Sequence, residues 1–195
     1  MSTLRVPGFL SQATLRRFSV VEYERLVAAG VFDEDDPFEL LDGYLVRKMP
    51  KNPPHDSCLQ LMDEGVRSLL PSGWCVRNQS TIRLPQSRPE PDLCLARGNA
   101  RSYLTQHPGP EDIGLLIEVA DSSLALDRTD KARLYAEAGI DEYWIVNLVD
   151  RQIEIYSHPT AEGYVQMVVF SESQYVPLVL DDVQVGTIPV AEVLP

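Results

Sequence analysis

Two short, almost wholly apolar segments joined by a helical pattern constrain the fold more than any other feature of this sequence. The first is GLLIEVA at residues 114–120 and the second is EYWIVNL at residues 142–148. Strands that are covered on both faces have such continuous apolar runs. The helix between them, predicted from Asp127 to Ala138 with Gly139 as its stop, is long enough to connect parallel neighbours. We therefore predict a parallel strand–helix–strand unit with a right-handed crossover.

The N-terminal third of the chain predicts a helix and a hairpin. Ser19 and Glu22 have the spacing of a capping box, which predicts a helix that begins here and ends at Gly30. The dipeptide Asp42-Gly43 separates two short strands, FELL and YLVRKM, and is a strong hairpin signal.

The remaining segments predict one further helix and several strands. Apolar residues at helical spacing predict a helix over residues 55–70, and the segments QIEIYSH, GYVQMVVF and YVPLVL are typical of strands. An acidic turn is predicted at residues 33–37. We predict a single α/β domain over residues 19–195, with a mixed β-sheet flanked by helices, preceded by a loosely held arm at residues 1–18.

Composition limits the compartment and the cofactor chemistry. The sequence has no apolar run of about 18 residues, and its N-terminal segment lacks the apolar block of a secretory signal. Its three cysteines, Cys58, Cys75 and Cys94, are an odd number without CxxC spacing. We therefore expect free thiols in a cytoplasmic protein, with no membrane anchor, disulfide framework or zinc site.

The charge pattern argues against a general nucleic-acid coat but permits a local basic face. The formal net charge is −12, whereas phosphate binding needs Lys and Arg. Residues 43–101, however, carry nine basic and five acidic side chains. Lysine is rare throughout, because only Lys48, Lys51 and Lys131 stand against fourteen arginines.

Glu118 is the residue that points most directly to chemistry. It lies inside the apolar segment 114–120, where a charged carboxylate is costly unless it is paired, protonated or bound to a cation. Two explanations are open at this point. Glu118 is either a core glutamate held by an arginine or by helix amides, or a metal ligand at the end of a strand.

Asp92 is the second candidate ligand, because it opens the short apolar strand DLCLA directly after Pro91. On its own an aspartate at a strand start is more often a turn-forming residue or a helix-facing cap. Paired with Glu118 on a neighbouring strand, it supplies the oxygen ligands that Mg²⁺ and Mn²⁺ prefer. We therefore predict a divalent-metal site built from Asp92 and Glu118.

Lys131 lies on the helix that follows Glu118. Asp127 precedes it by four residues and Tyr135 follows it by four, so the three share one helix face. One explanation is an exposed Asp–Lys pair of little energetic value. The other places the ammonium near an attacking water or a phosphate oxygen, where it would stabilise charge that develops during phosphodiester attack.

Three further residues are candidates for the same site. Glu39, in FELLDG, is either an exposed edge-strand acid or a third carboxylate. His55 either caps its helix or contacts a phosphate and transfers protons. Gln79 either positions water or hydrogen-bonds across strands, and arginines at residues 77–88 are candidates for holding DNA.

The ordered set of PDL, IEVADSS, D-x-x-x-K with a tyrosine four residues later, and GIDEYWIVN resembles the Uma-two family of restriction endonucleases, within the PD-(D/E)XK nuclease superfamily. The segment FELLDGYLVRKMP followed by His55 fits the same family. The resemblance runs from about Ser19 to Pro195, nearly the whole chain.

The resemblance implies a restriction-endonuclease-like core, with Asp92 and Glu118 as ligands of Mg²⁺ or of Mn²⁺ as a substitute. It also implies Glu39 as an additional acid, DNA as the substrate and a homodimer as the assembly. The superfamily motif has lysine two residues after the acid, where this chain has Ala120. The resemblance therefore assigns the lysine to Lys131 on the following helix.

The sequence thus predicts a metal-dependent endonuclease that hydrolyses DNA phosphodiester bonds, with His55 and Gln79 in contact with the substrate. The acidic total and the absent local lysine favour one alternative, a catalytically inactive nucleic-acid-binding or regulatory module on the same fold. A third possibility is a partner-binding protein whose aromatic strands form a dimer face, with Trp144, Tyr156 and Tyr164 as candidates, although Trp144 is better explained as core.

Overall fold

The computed structural model describes residues 15–32 and 36–195. Its helices and strands in chain order are α1 (Val20–Ala28), β1 (Phe38–Leu41), β2 (Tyr44–Arg47), α2 (Pro53–Leu69), β3 (Trp74–Asn78), β4 (Leu93–Arg97), β5 (Ile113–Ala120), α3 (Leu124–Leu126), a π-helical turn (Asp127–Lys131), α4 (Ala132–Glu137), β6 (Glu142–Asn147), β7 (Gln152–Thr160), β8 (Gly163–Ser171), β9 (Tyr175–Leu180), β10 (Val183–Pro189) and α5 (Val190–Val193). Two short 3₁₀ helices lie between β4 and β5, at Ala100–Tyr103 and Pro110–Asp112.

A mixed six-stranded sheet in the order β3-β4-β5-β6-β7-β8 forms the centre of the domain. β5 and β6 run parallel, and every other neighbouring pair in this sheet is antiparallel. The predicted parallel pair and the predicted mixed sheet are therefore confirmed. β1 pairs with β2, and β9 pairs with β10, as two separate hairpins. β10 was not predicted from the sequence.

Both faces of the sheet are covered by apolar clusters. One cluster contains residues of α2, α5, β9 and β10, and the other contains residues of α4 and the aromatic side chains near it. Successive strand residues point to opposite faces, so Leu115, Ile117 and Val119 of β5 join the first cluster. Leu116 lies in the second cluster. The intervening Glu118 therefore faces the helix that carries Lys131.

The helix starts agree with local capping chemistry at two sites. Ser19 and Glu22 form the predicted capping box of α1. α2 begins at Pro53, two residues before the predicted start, because the Asn52 side chain accepts a hydrogen bond from the His55 amide at 3.0 Å. Proline is tolerated in this first turn, where its missing amide hydrogen would have no partner in the helix.

The helix after β5 differs from its prediction. It begins at Leu124, and Asp127 lies within it rather than at its N-cap. Asp127 is almost fully buried and faces Lys131 across the π-helical turn, so its carboxylate is not available to cap a helix end. Residues 1–14 of the predicted arm and residues 33–35 of the predicted acidic turn lie outside the described residues.

Cys58 and Cys94 are buried free thiols, and Cys75 is a partly buried one. Within the described ranges, no helix combines the length and the apolar character needed to cross a membrane.

Glu154 on β7 is a buried carboxylate that depends on its hydrogen bonds. Arg128 donates to it through Nε at 3.0 Å and through Nη2 at 2.5 Å, and Asn147 donates at 2.8 Å. Burial alone would raise the pKa of Glu154, but these donors, with Gln152 and Tyr156, hold that pKa at about 2 instead of 4.5. Such a depressed pKa stabilises the folded state above the unfolded pKa, and the stabilisation is lost as pH falls through the folded pKa.

We expect Glu154→Gln to lower the free energy of unfolding by about 1–3 kcal/mol near neutral pH, because charge-assisted hydrogen bonds are lost. The difference from the parent protein should shrink as pH falls from 4.5 towards 2. Urea unfolding across that range measures it. The matched control is Glu172→Gln, which removes an exposed pair with Arg151 and should cost only a fraction of that loss. An undiminished difference at the acid end would contradict the role assigned to Glu154.

Candidate metal and nucleic-acid cleft

Six of the candidate site residues predicted from the sequence line one cleft. They are Glu39, His55, Gln79, Asp92, Glu118 and Lys131. The cleft has a volume of about 90 Å³, which is enough for an ion and a few water molecules. It lies where β4 begins and β5 ends, so six segments that are distant in sequence converge on it.

The Lys131–Glu118 pair lies at the buried end of this cleft. Lys131 Nζ donates to Glu118 Oε1 at 2.8 Å, and the Tyr135 hydroxyl donates to the same oxygen at 2.9 Å. The two charged side chains are only 7% and 4% exposed. The structure therefore excludes the exposed Asp–Lys pair as the explanation of Lys131. It also shows that Glu118 is held by a lysine and a tyrosine, not by an arginine or helix amides.

Lys131 faces more negative charge than it can neutralise. Its Nζ lies 3.6 Å from Glu39 Oε1 and 3.8 Å from Asp127 Oδ1, in addition to Glu118. Burial alone would lower the pKa of Lys131, but the three carboxylates raise it above its ordinary value. The ammonium therefore stays protonated. Glu39, which is 3% exposed, is a buried member of the site and not an exposed edge-strand acid.

The carboxylates, for their part, have too little positive charge nearby. Burial raises the pKa of Glu118 and of Asp127, and attraction to Lys131 opposes both shifts. Ser123 lies close enough to lower the pKa of Asp127. Even so, neither carboxylate oxygen of Asp127 has a hydrogen bond of normal geometry from the described residues. The cluster thus favours an additional positive charge, which either a proton or a metal ion would supply.

Asp92 is held in a different state from Glu118. Its Oδ2 accepts from the Val119 amide at 2.9 Å and lies 3.2 Å from His55 Nε2, and its Oδ1 accepts from Gln79 Nε2 at 3.1 Å. Burial alone would raise the pKa of Asp92, but His55, the Val119 amide and Gln79 hold that pKa below its ordinary value. Asp92 is therefore an ionised carboxylate.

Gln79 and His55 contact Asp92 directly. Gln79 has a φ of 44°, in the left-handed region that is uncommon for residues other than glycine. In this conformation its amide donates to the Asp92 carbonyl at 2.9 Å while its side chain donates to the Asp92 carboxylate. The conformation is thus stabilised by two contacts to one residue, and it fixes the position of Asp92.

The carboxylate oxygens of the cleft fit a hard divalent cation as ligands. Lys131 and Tyr135 both donate to Oε1 of Glu118, and Oε2 receives no hydrogen bond from the residues that the structure describes. In the described ranges, no three His, Cys, Asp or Glu side chains are already arranged to hold a metal ion. Mg²⁺ does not require three, since it is commonly bound by one or two carboxylates and keeps several waters or phosphate oxygens.

Sequence reasoning missed two lysines of the cleft. Lys48 and Lys51 line it together with Lys131, so all three lysines of the chain lie at one place. Lys48 forms an ion pair with Glu90, whose amide donates to Glu39 at 3.2 Å. The rarity of lysine in this sequence was the signal that could have identified them.

The segment after β5 is tied to the start of α2. Asn52 Nδ2 donates to Asp121 Oδ2 at 2.6 Å, and both residues line the cleft.

The arginines predicted to hold DNA lie outside the cleft: Arg77 and Arg88 line a neighbouring groove, and Arg83 pairs with Glu111 at 2.9 Å.

The fold is shared with a protein of known structure. The chain is similar to a protein from Anabaena variabilis ATCC 29413 that is described as a "putative nuclease belonging to DUF820". The TM-score is 0.68 at 11% sequence identity, over 90% of this chain and 97% of that chain. At this identity the likeness establishes the fold alone.

Residues 20–191 match the Uma2 family, which carries the description "Putative restriction endonuclease". The match covers most of the sequence, and the chain belongs to this family. The family and the fold predicted from the sequence are therefore confirmed. Among the curated proteins, none matches this chain.

We expect Lys131→Met to destabilise the protein by about 3–5 kcal/mol, because it leaves buried carboxylates without their cation. Added Mn²⁺ should recover more thermal stability in this variant than in the parent, since the ion replaces the lost charge. Thermal unfolding with and without Mn²⁺ measures both effects. Lys48→Met is the matched control: its pair with Glu90 is 29% and 26% exposed, and the loss should be smaller. A variant as stable as the parent, with no Mn²⁺ effect, would refute the charge imbalance.

Proposed function

We propose that this protein is a Mg²⁺-dependent endonuclease that hydrolyses phosphodiester bonds of DNA, with Mn²⁺ as a substitute ion. The observation that carries the proposal is the convergence of Asp92, Glu118 and Lys131 on one cleft in a member of the Uma2 family. These three residues supply two oxygen ligands and one permanent cation, which are the groups that metal-assisted phosphodiester hydrolysis requires.

Asp92 and Glu118 are the proposed metal ligands. Asp92 is ionised by its hydrogen bonds, and Glu118 has one oxygen without a hydrogen bond from the described residues. When bound, Mg²⁺ supplies a water of lowered pKa and neutralises charge on the phosphate. His55 and Gln79 then act as positioning residues, because both contact the Asp92 carboxylate. Their predicted contact with substrate stays a prediction.

Lys131 acts as a fixed cation in this proposal. Its three carboxylate neighbours raise its pKa, so it cannot take a proton from water. It can donate a hydrogen bond to a phosphate oxygen on which negative charge develops, which stabilises the transition state electrostatically. Glu39 and Asp127 keep the ammonium charged and placed, although they lie farther from it than Glu118 does.

Cleavage of plasmid and single-stranded DNA with Mg²⁺ or Mn²⁺ tests the proposal. We expect Asp92→Asn and Glu118→Gln each to lower the cleavage rate about 100-fold or more, the usual effect of losing a group that stabilises the transition state. Glu142→Gln is the control. Glu142 is a part-buried carboxylate on the neighbouring strand β6 that accepts from Trp144 Nε1. Cleavage that survives Asp92→Asn and Glu118→Gln would overturn the assignment.

A second candidate function is a nucleic-acid-binding module without catalysis. The observation that favours it is that the Lys131 ammonium already neutralises part of the charge of Glu118. This candidate requires salt-sensitive DNA binding and no cleavage with either metal ion in the same assays.

We also propose a homodimer that forms through β8, at the edge of the large sheet. Val165, Met167 and Val169 are 74%, 53% and 41% exposed, and the strand GYVQMVVFS contains no charge. A long, apolar, uncharged edge strand is a site for pairing with another chain. Trp144 is fully buried, which confirms that it belongs to the core and not to a dimer face.

Light scattering of the purified protein should give the mass of a dimer. Met167→Lys should give a monomer, because a lysine at the centre of the edge strand disfavours strand pairing. Gln166→Lys is the control, because it places the same charge on the neighbouring residue of the strand. It distinguishes the loss of an exposed apolar side chain from the addition of a charge. A monomeric parent protein would contradict the interface.

A further inference from the structure

A second groove adjoins the cleft and has no role in the function proposed above. It has a volume of about 600 Å³ and shares Gln79 and Glu90 with the cleft. We call it the aromatic groove, and its defining residues are Tyr23, Phe32, Phe38, Arg77, Ser80 and Thr81. The shared residues make the two spaces neighbours, so a chain that passes through the cleft can also enter the groove.

Three aromatic rings form one wall of the groove. The Tyr23 and Phe32 ring centroids lie 6.2 Å apart with an interplanar angle of 29°, and the Phe32 and Phe38 centroids lie 6.3 Å apart. Each of the three side chains is partly exposed. Partly exposed rings beside a nucleic-acid cleft are the surfaces on which unpaired bases stack, because every base has a π-face.

The groove also holds a cation that is not neutralised. Arg77 forms no ion pair with a carboxylate of the described residues, and its buried Nε donates no hydrogen bond to any of them. Its guanidinium lies 5.1 Å from the Tyr103 ring centroid. Arg88, in the same groove, is instead neutralised by Glu24 at 2.8 Å. In a chain of net charge −12, a cation without a carboxylate partner is available for a phosphate.

We propose that the aromatic groove binds the base of one unpaired nucleotide of the substrate, with its phosphate on Arg77, next to the phosphodiester that lies in the cleft. The nucleotide is single-stranded or turned out of a duplex, because a base inside a duplex cannot present its face to these rings. The Ser80 and Thr81 hydroxyls already donate to Asn78 O and Glu90 Oε1, so their oxygens can act as acceptors for the base edge or the sugar. This inference rests on the proposed function, and it specifies the strandedness of the substrate.

Binding of a fluorescent single-stranded oligonucleotide without divalent ions, followed by anisotropy, tests the groove independently of cleavage. We expect Phe32→Leu to weaken binding about 5- to 50-fold, because base stacking on an aromatic ring is lost. Phe18→Leu is the matched control, since Phe18 is a partly buried phenylalanine that lines neither the cleft nor the groove. Thermal unfolding establishes that each variant is folded.

Arg77→Gln should weaken binding about 5- to 10-fold and reduce the salt dependence of affinity by about one phosphate contact. Arg101→Gln is its control, because Arg101 is exposed, forms no ion pair with the described residues and lines neither the cleft nor the groove. Binding by Phe32→Leu and Arg77→Gln at the parent's affinity would overturn the proposal.

Oligonucleotides with one abasic position, moved along the strand, locate the bound base. The parent should lose affinity when the abasic site is at one particular position. For Phe32→Leu, an abasic site at that position should cause no further loss, because both changes remove the same stacking contact. A uniform response along the strand would overturn the groove as a base site. If the parent cleaves DNA and both variants bind with the parent's affinity, only the groove proposal is rejected. If both variants bind more weakly but the parent does not cleave DNA, only the nuclease function is rejected.

Discussion

The buried ion pair between Lys131 and Glu118 is the contact on which the rest of the site depends. Neither charge is tolerable at this depth without a partner of opposite sign, because the loss of hydration costs several kcal/mol per ion. The distance of 2.8 Å and the hydrogen bond from Tyr135 compensate this cost. The pair fixes the helix after β5 against the sheet, and with it the π-helical turn that buries Asp127 beside Lys131.

The sheet supplies the second requirement, which is the position of Asp92. β4 and β5 are antiparallel, with Leu93 opposite Ile117, so the residue before β4 lies beside the residue after Ile117. Asp92 consequently accepts a hydrogen bond from the Val119 amide next to Glu118. Two carboxylates in different protonation environments result: Asp92 is ionised by its donors, whereas burial raises the pKa of Glu118. The antiparallel pairing of β4 with β5 thus places Asp92 beside Glu118 and gives it a backbone donor that Glu118 lacks.

The distribution of charge bears on how an acidic protein would bind the polyanionic substrate proposed above. The net charge of −12 is concentrated in the second half of the sequence, while the three lysines meet in the cleft. Arg77 places a further cation in the aromatic groove. Most other arginines are neutralised by neighbouring carboxylates, such as Arg151 by Glu172 and Arg97 by Asp181. For the proposed function we therefore expect attraction for phosphate to be confined to these cations and a bound divalent ion, and the acidic remainder of the surface to repel non-specific nucleic acid.

The sequence by itself determined the parallel unit, the hairpin at Asp42-Gly43, the family, and the candidacy of Asp92 and Glu118. The parallel unit and the hairpin follow from local periodicity and turn residues, and the family follows from the resemblance of its ordered motifs. An acid inside an apolar strand has few explanations. Only the tertiary structure decided that Lys131 and Glu39 are buried, that Asp127 lies inside its helix, and that Lys48 and Lys51 join the cleft. The reason is that the protonation and exposure of each group depend on residues far away in the chain, and no local pattern encodes which segments will meet.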